Sequence, residues 1–313
     1  MRVKFWGVRG SIPTPTHSTM GYGGNTACVT LRTEAGHLFI LDAGSGIRAL
    51  GQHLLSNREN EPLTGSVFIS HFHWDHIMGI PFFMPLYHPN SHYSFFSFRH
   101  PHSSFQEVIE AQMNVPYFPV PMKSMAGERA FYEIGEQSFE VGDCLVTTRR
   151  LNHPQGCLGY RFDDGHAAFT YATDHEPDGG PFDRNLFELA HDADMLVLDA
   201  QYTPVEYEGG RRGWGHGTWE SALQIAREAS VKRLVLFHHD PDRTDLQLSQ
   251  IVEKARKQFP ALDAASEGWE VRLSRTIPVA RPEKIGALER VYALAATPPI
   301  PRLVNSVVAR TGD

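Results

Sequence analysis

Cysteine is scarce in this chain: Cys28, Cys144 and Cys157 are the only three in 313 residues. Odd in number and far apart, they form no Cys-x-x-Cys metal motif and no disulfide framework, so reduced thiols in a reducing compartment are expected. Long apolar runs are missing as well, and no stretch approaches the roughly 20 residues that a membrane-spanning helix needs. The opening Met1-Arg-Val-Lys-Phe-Trp6 runs straight into a strand pattern. It has neither the apolar core nor the small-residue cleavage site of an export signal. A cytoplasmic location without a membrane partner is the expectation. Positive charge is thin too, with 29 Lys and Arg against 36 Asp and Glu, a net charge of −7. Proteins that grip long nucleic acids carry a basic face, and no basic run occurs here. A long nucleic acid is therefore not the expected partner, and a small anionic ligand is.

What the chain does have is histidine, 17 of them, and their placement is uneven. Between Ser70 and Gly79 it reads His71-Phe-His73-Trp-Asp75-His76, four metal-type ligands in six consecutive positions. The preceding Ser66-Val-Phe-Ile-Ser70 has the composition of a buried strand. A short helix can start after it, limited by Pro81 and Pro85. The ligands thus fall on a strand-to-helix turn, where alternation sends His71 and His73 one way while Asp75 and His76 follow the bend. One loop can then serve two metals. A His-rich surface turn is the plain alternative, but such a cluster beside a buried strand has few structural uses. Further candidates sit where strands end: His153 after Thr147–Asn152, Asp174 after Ala167–Thr173, and His238 after Arg233–Phe237. His71, His73 and His153 make one site. Asp75, His76 and His238 make the other, and Asp174 can bridge them through its two oxygens. Nitrogen and carboxylate donors without thiolate suit zinc, and also manganese or iron.

The pattern His71-x-His73-x-Asp75-His76 resembles the HxHxDH signature of the metallo-β-lactamase superfamily, and His153, Asp174 and His238 fall in that family's order. Phe5-Trp-Gly-Val-Arg-Gly-Ser-Ile-Pro13, Gly23-Gly-Asn-Thr-Ala-Cys28 and Leu41-Asp-Ala-Gly-Ser-Gly46 are similar to the opening of its phosphodiesterase branch. That branch includes tRNase Z and the cyclic-phosphate phosphodiesterases. Gly215-His216-Gly-Thr-Trp219 resembles that branch's late His. After His238 the chain departs from tRNase Z, continuing His239-Asp240-Pro241 in place of a Ser- and Arg-containing tail. The resemblance covers residues 1 to 275. It implies an α/β fold, an αββα sandwich of two mixed sheets flanked by helices, and two divalent metal ions, zinc foremost. It is also compatible with a homodimer.

Coarser organisation follows from pattern. Strands are expected at Val3–Gly7, Ala27–Arg32, His37–Leu41, Ser138–Val141, Leu145–Arg150, Gly159–Phe162, Ala167–Ala172, Met195–Asp199 and Arg233–Phe237. Helices are expected at Ile47–Leu55, Arg184–His191 and Trp219–Glu228, the last capped by Thr218. Asp42, at a strand end before a Gly-rich turn, can orient a ligand His; capping the Ile47 helix suits Ser45 better. Residues 87–129, rich in His and Phe, read as an insertion over the site. Either a substrate-facing lid, an oligomer contact or a packed excursion would account for it. Residues 1–275 form the expected catalytic domain. The Pro- and Ala-rich 276–313, with a helical stretch at Pro282–Ala295, is a tail or packing arm.

The chemistry expected is hydrolysis. Two divalent metals about 3.5–4 Å apart can hold a bridging hydroxide near neutral pH and neutralise phosphoryl oxygens. His216 is the candidate to protonate the leaving alkoxide, with a hydrogen-bonded loop His as the alternative. Asp199 could keep His216 protonated, or cap a helix or sit in a surface turn. His175 and His239 should point away from the ligands they adjoin. The leading expectation is a metal-dependent phosphodiesterase acting on a small cyclic or linear phosphodiester, with Asp75, His216 and Asp199 as its catalytic group. A carbonyl hydrolase of lactone, thioester or β-lactam uses the same ligand set, and a non-catalytic nucleotide-binding sensor is the third possibility.

Overall fold

The computed structural model describes residues 1–57 and 63–274. Two seven-stranded sheets face each other. The first contains β1 (Arg2–Gly7), β2 (Cys28–Arg32), β3 (Leu38–Leu41), β4 (Thr64–Phe68), β5 (His92–Ser97) and β6 (Glu128–Glu133). The second contains β7 (Gln137–Val141), β8 (Cys144–Leu151), β9 (Cys157–Asp163), β10 (Ala168–Ala172), β11 (Met195–Asp199), β12 (Leu234–Phe237) and β13 (Leu262–Ala264), and β14 (Glu270–Arg272) returns to pair with β1. Both sheets are mixed. Pairing is antiparallel from β14 through β3 and parallel from β3 to β6. In the second sheet β7 to β10 are antiparallel and β10 to β13 parallel.

Side-chain alternation builds three apolar layers from these strands. Phe39, Leu41 and Phe68 point inward to meet Tyr160, Phe162 and Phe237 of the other sheet. Ring centroids of Phe39 and Phe162 lie 5.1 Å apart, and those of Phe68 and Tyr160 5.2 Å apart. A ring buried this way is worth about 3–5 kcal/mol against truncation to alanine. Leu38, Ile40 and Val67 point outward, under helix α1 (Ile47–Ser56) and α3 (Phe105–Ala111), which follows the short α2 (Trp74–Ile77). The outer face of the second sheet is covered by α4 (Pro181–Ala190) and, beyond the one-turn α5 (Pro204–Glu206), by α6 (Trp219–Glu228) and α7 (Asp245–Arg256). Helix, sheet, sheet, helix is the expected sandwich. Both faces of the central strands are covered, which is why their sequences read as continuous apolar runs.

Two local expectations change. Residues 87–129 are not an excursion over the site throughout, because His92–Ser97 pairs in parallel with both β4 and β6 inside the first sheet. The remainder, with α3, is the crossover that joins these parallel strands. Ser45 does not cap α1. Gly46 occupies the cap position without a side-chain bond, while Ser45 Oγ donates to Asn25 Oδ1 and accepts from Thr26 N. Thr218, by contrast, caps α6 as expected. The tail 276–313 and its helical stretch lie outside the described residues. All three cysteines are buried and free. Among the described residues no helix is long and apolar enough to cross a membrane.

Candidate metal centre

The candidate residues converge on one edge of the sandwich, each just past a strand end: Asp42 after β3, His71–His76 after β4, His153 after β8, Asp174 after β10, Asp199 at the end of β11 and His238 after β12. Asp42, Asp174 and His238 have φ of 58°, 52° and 55°. This left-handed conformation turns the side chain off the strand line at a cost of about 1–2 kcal/mol per residue, and Asp and His tolerate it better than most. Neighbouring backbone comes unusually close. A Cβ at Gly10 would lie 2.4 Å from the His238 ring, and one at Gly215 (φ 88°) 2.4 Å from His153 Nδ1.

Hydrogen-bond bookkeeping fixes which way each imidazole presents its lone pair. Asp42 accepts from Ser70 N, Ser70 Oγ, Tyr171 Oη and His76 Nδ1, the last at 2.8 Å. Because the Ser70 hydroxyl proton goes to Asp42, the 3.1 Å contact from His71 Nδ1 must be a donation to Ser70 Oγ. His71 Nε2 is thereby left bare, and it is buried without a partner. His153 Nδ1 donates to Gly215 O at 2.8 Å, His73 Nε2 to Gln155 Oε1 at 3.2 Å, and His238 Nδ1 to Gln201 Oε1 at 2.9 Å. Every one of these rings donates outward and points a bare nitrogen inward.

Those inward nitrogens form two groups. His153 Nε2 and His73 Nδ1 lie 3.1 Å apart, with His71 alongside. In the second group His76 Nε2 and His238 Nε2 are 3.3 Å apart, and Asp75 Oδ2 sits 3.2 Å from the former and 3.0 Å from the latter. Asp174 lies between. Its Oδ1 is 3.4 Å from both His76 and His238 Nε2, while Oδ2 faces His71 at 3.6 Å and His153 at 3.7 Å. Acceptors crowded at this spacing, without a proton between them, repel unless a cation sits among them. Nitrogens of a tetrahedral zinc site are about 3.3 Å apart for Zn–N near 2.05 Å. The donor set therefore fits two divalent ions.

Electrostatics agree with the geometry. Burial holds His71 well below the usual imidazole range, lowers His73, and brings His153 down to about 4, so these rings stay neutral. Burial would raise Asp174, but the positive charge that His238 and His76 can carry pulls it well below the carboxylate range. Asp75 behaves alike through His76 and His238. His76 is pushed well above its ordinary value, since Asp75, Asp174 and Asp42 together overcome its burial. The pocket demands positive charge, and a proton on His76 is the substitute when nothing larger supplies it.

Beside the two groups stands His216, whose ring stacks on His238 with centroids 4.8 Å apart. Its Nδ1 donates to Asp199 Oδ2 at 2.8 Å. Burial opposes its charge, yet Asp199, then Asp174 and Asp75, raise it to about 9. Asp199 is held in turn by His175 N and Gln201 N. His175 itself turns away to Asp183, and His239 to Ala265 O. Cys157 packs under Thr173 O. The sequence reading missed Ser70, Gln155 and Gln201, each of which holds an imidazole. It also missed Glu176, whose carboxylate accepts from Tyr207 Oη, Gly213 N and Gly215 N and so fixes the loop that delivers His216. A cleft of about 440 Å³ opens over the centre, lined by His73, Trp74, Asp75, Asp174, His216 and His238 among others.

A model of the β-lactamase superfamily domain matches residues 37–239. The chain belongs to the metallo-β-lactamase superfamily and is a hydrolase by class. Within it, similarity runs to the ribonuclease Z and phosphodiesterase branch. Ribonuclease Z of Thermoplasma acidophilum is 24% identical over 325 residues, covering 88% of this chain and 98% of that one. Among solved structures, the metallo-β-lactamase fold protein YhfI from Bacillus subtilis is similar with a TM-score of 0.62 at 17% identity, over 86% of this chain and 98% of that one. A diphosphatase from the PhnP family is similar with a TM-score of 0.62 at 19% identity, over 87% and 98%.

Proposed function

We propose that this hydrolase cleaves a small cyclic or linear phosphodiester, using two divalent cations held by His71, His73 and His153 on one side and Asp75, His76 and His238 on the other, with Asp174 shared. The observation that carries the reading is the inward ring of bare acceptors around Asp174, with His216 bonded to Asp199 at the same cleft. Zinc suits the all-nitrogen and oxygen donor set, as do manganese and iron. When bound, such a pair supplies a nucleophile at neutral pH and neutralises phosphoryl charge. The chain's own part is to hold those cations beside the cleft through Asp75, Asp174 and the imidazoles, where they would neutralise an anionic ester, and to deliver a proton from His216 to the departing oxygen, with Asp199 keeping that proton in place. Residues 1–275, to which both sheets contribute, are the proposed catalytic unit.

Zinc-loaded protein should hydrolyse bis(p-nitrophenyl) phosphate, and His73→Ala should abolish that turnover. Absence of turnover with zinc or manganese, despite two ions bound per chain, would move the assignment to a carbonyl substrate or to nucleotide binding. Chelation gives a separate prediction. Each ion held at a thousand times its Kd adds about 4 kcal/mol of stability, so stripping both should lower Tm by roughly 15 °C. An unchanged Tm would mean that no cation contributes to the folded state.

An RNA substrate is the second reading, favoured by the ribonuclease Z relative that spans 88% of the chain. Against it stand the net charge of −7 and the His239-Asp240-Pro241 sequence after the last ligand candidate. Relative turnover of a cyclic mononucleotide and a structured RNA decides between them.

A further inference from the structure

The chain has five tryptophans, and four are engaged. Lys4 Nζ sits 4.4 Å over Trp6, Arg211 4.3 Å over Trp214, and Lys254 4.9 Å over Trp219, while Trp269 stacks on Phe5 at 5.3 Å. Trp74 differs. It is 78% exposed, and among the described residues no ring or cation lies against its indole. Yet it stands between His73 and Asp75 and lines the cleft with them. Phe72, on the same wall, is braced from behind by Phe98 at 4.8 Å and Phe105 at 5.7 Å. One aromatic of this wall is thus packed, and the next offers a free π-face beside the reacting centre. A large apolar group left exposed at such a place signals a ligand rather than a core.

We propose that Trp74 is the stacking platform for a nucleobase, so that the phosphodiester bound at the metal centre is a nucleotide. This deepens the phosphodiesterase reading and rests on it. Bases stack on indole whatever their sequence, because each has a π-face. A cleft of about 440 Å³ is in the range that holds one small-molecule ligand. The base could belong to a mononucleotide or to the end of an RNA strand.

The test uses the full-length, zinc-loaded protein with two five-membered cyclic phosphates: adenosine 2′,3′-cyclic phosphate, and glycerol 1,2-cyclic phosphate, which has no base. Trp74→Leu keeps apolar bulk without the π-system, and Trp74→Phe keeps a ring. Trp74→Leu should raise KM for the adenosine substrate roughly five- to hundredfold. The loss should fall on KM with zinc content kept, the constants for the glycerol substrate should move far less than those for the adenosine substrate, and Trp74→Phe should recover most of the loss. Equal losses on both cyclic phosphates, or no loss on any of the three substrates, would overturn the proposal. A single-stranded RNA ending in adenosine is the third arm; a Trp74 effect confined to it supports stacking with the base supplied by a strand end. If the wild type hydrolyses none of these while binding two zinc ions, the phosphodiesterase reading fails, and binding alone then decides on Trp74. Adenosine monophosphate should quench tryptophan fluorescence in the wild type and not in Trp74→Leu, and ribose 5-phosphate should quench neither. Equal quenching of both proteins by adenosine monophosphate would overturn the stacking role.

Discussion

Asp174→Asn should lower kcat/KM on a phosphodiester at least about a thousandfold and reduce bound metal from two ions per chain to one or none. Removing a single preorganised donor at a reacting centre costs about 10²–10³ in rate. This substitution takes a full charge from both proposed cation sites at once. Asp174 Oδ1 lies 3.4 Å from His76 and His238 Nε2, and Oδ2 faces His71 and His153. No other carboxylate among the described candidates reaches both groups. Asparagine preserves the shape and accepts the φ of 52° that the position requires, so a loss of activity cannot be assigned to a distorted turn. Metal content by mass spectrometry and kcat/KM on bis(p-nitrophenyl) phosphate are the measurements. Two ions retained with a rate within tenfold of wild type would remove Asp174 from the bridging position.

How much of this centre was legible in the sequence depends on whether a residue's task is local. His71, His73, Asp75 and His76 share one turn, and His153, Asp174, Asp199 and His238 each follow a run apolar enough to be recognised as strand. The outward partners were not legible. Gln155 serves His73 from 82 residues away, Gln201 serves His238 across 37, and Glu176 holds Gly213 and Gly215 across 37 and 39. These bonds join loops that only the folded sheets bring together, and no spacing rule encodes them. Asp42 was visible because it ends a strand next to a Gly-rich turn, although its four donors were not.

The strand His92–Ser97 was hidden for another reason. Its Ser94 and Ser97 are buried, and Ser97 Oγ donates to Ile69 O. Such polar residues break the apolar run that a covered parallel strand would otherwise show. Mixed with four nearby histidines, the segment took on the look of a loop. Its partner Glu128–Glu133 is an edge strand, where charge is tolerated because one side has no neighbour.

His216→Ala is the second substitution with a large expected effect, and its size should depend on the leaving group. General acid catalysis is worth about 10²–10⁴ when the departing oxygen needs a proton. An alkoxide does, so a cyclic nucleotide or alkyl phosphodiester should lose that much. p-Nitrophenolate is a stable anion and leaves without help, so bis(p-nitrophenyl) phosphate should lose far less. The geometry behind this is the 2.8 Å bond from His216 Nδ1 to Asp199, which leaves Nε2 for the departing oxygen; burial opposes charge on the ring, and the Asp199 carboxylate favours it. Asp199→Asn should reproduce the same dependence at smaller magnitude, because it weakens the hold on the proton without removing the imidazole. A purely structural His216 makes a different prediction. Its ring stacks on His238, and losing that support would disturb the second cation group and slow every substrate alike. Equal losses on the two kinds of leaving group, accompanied by lost metal, would therefore assign His216 to holding His238, and a loss confined to alkoxide leaving groups with both ions retained would assign it to proton delivery.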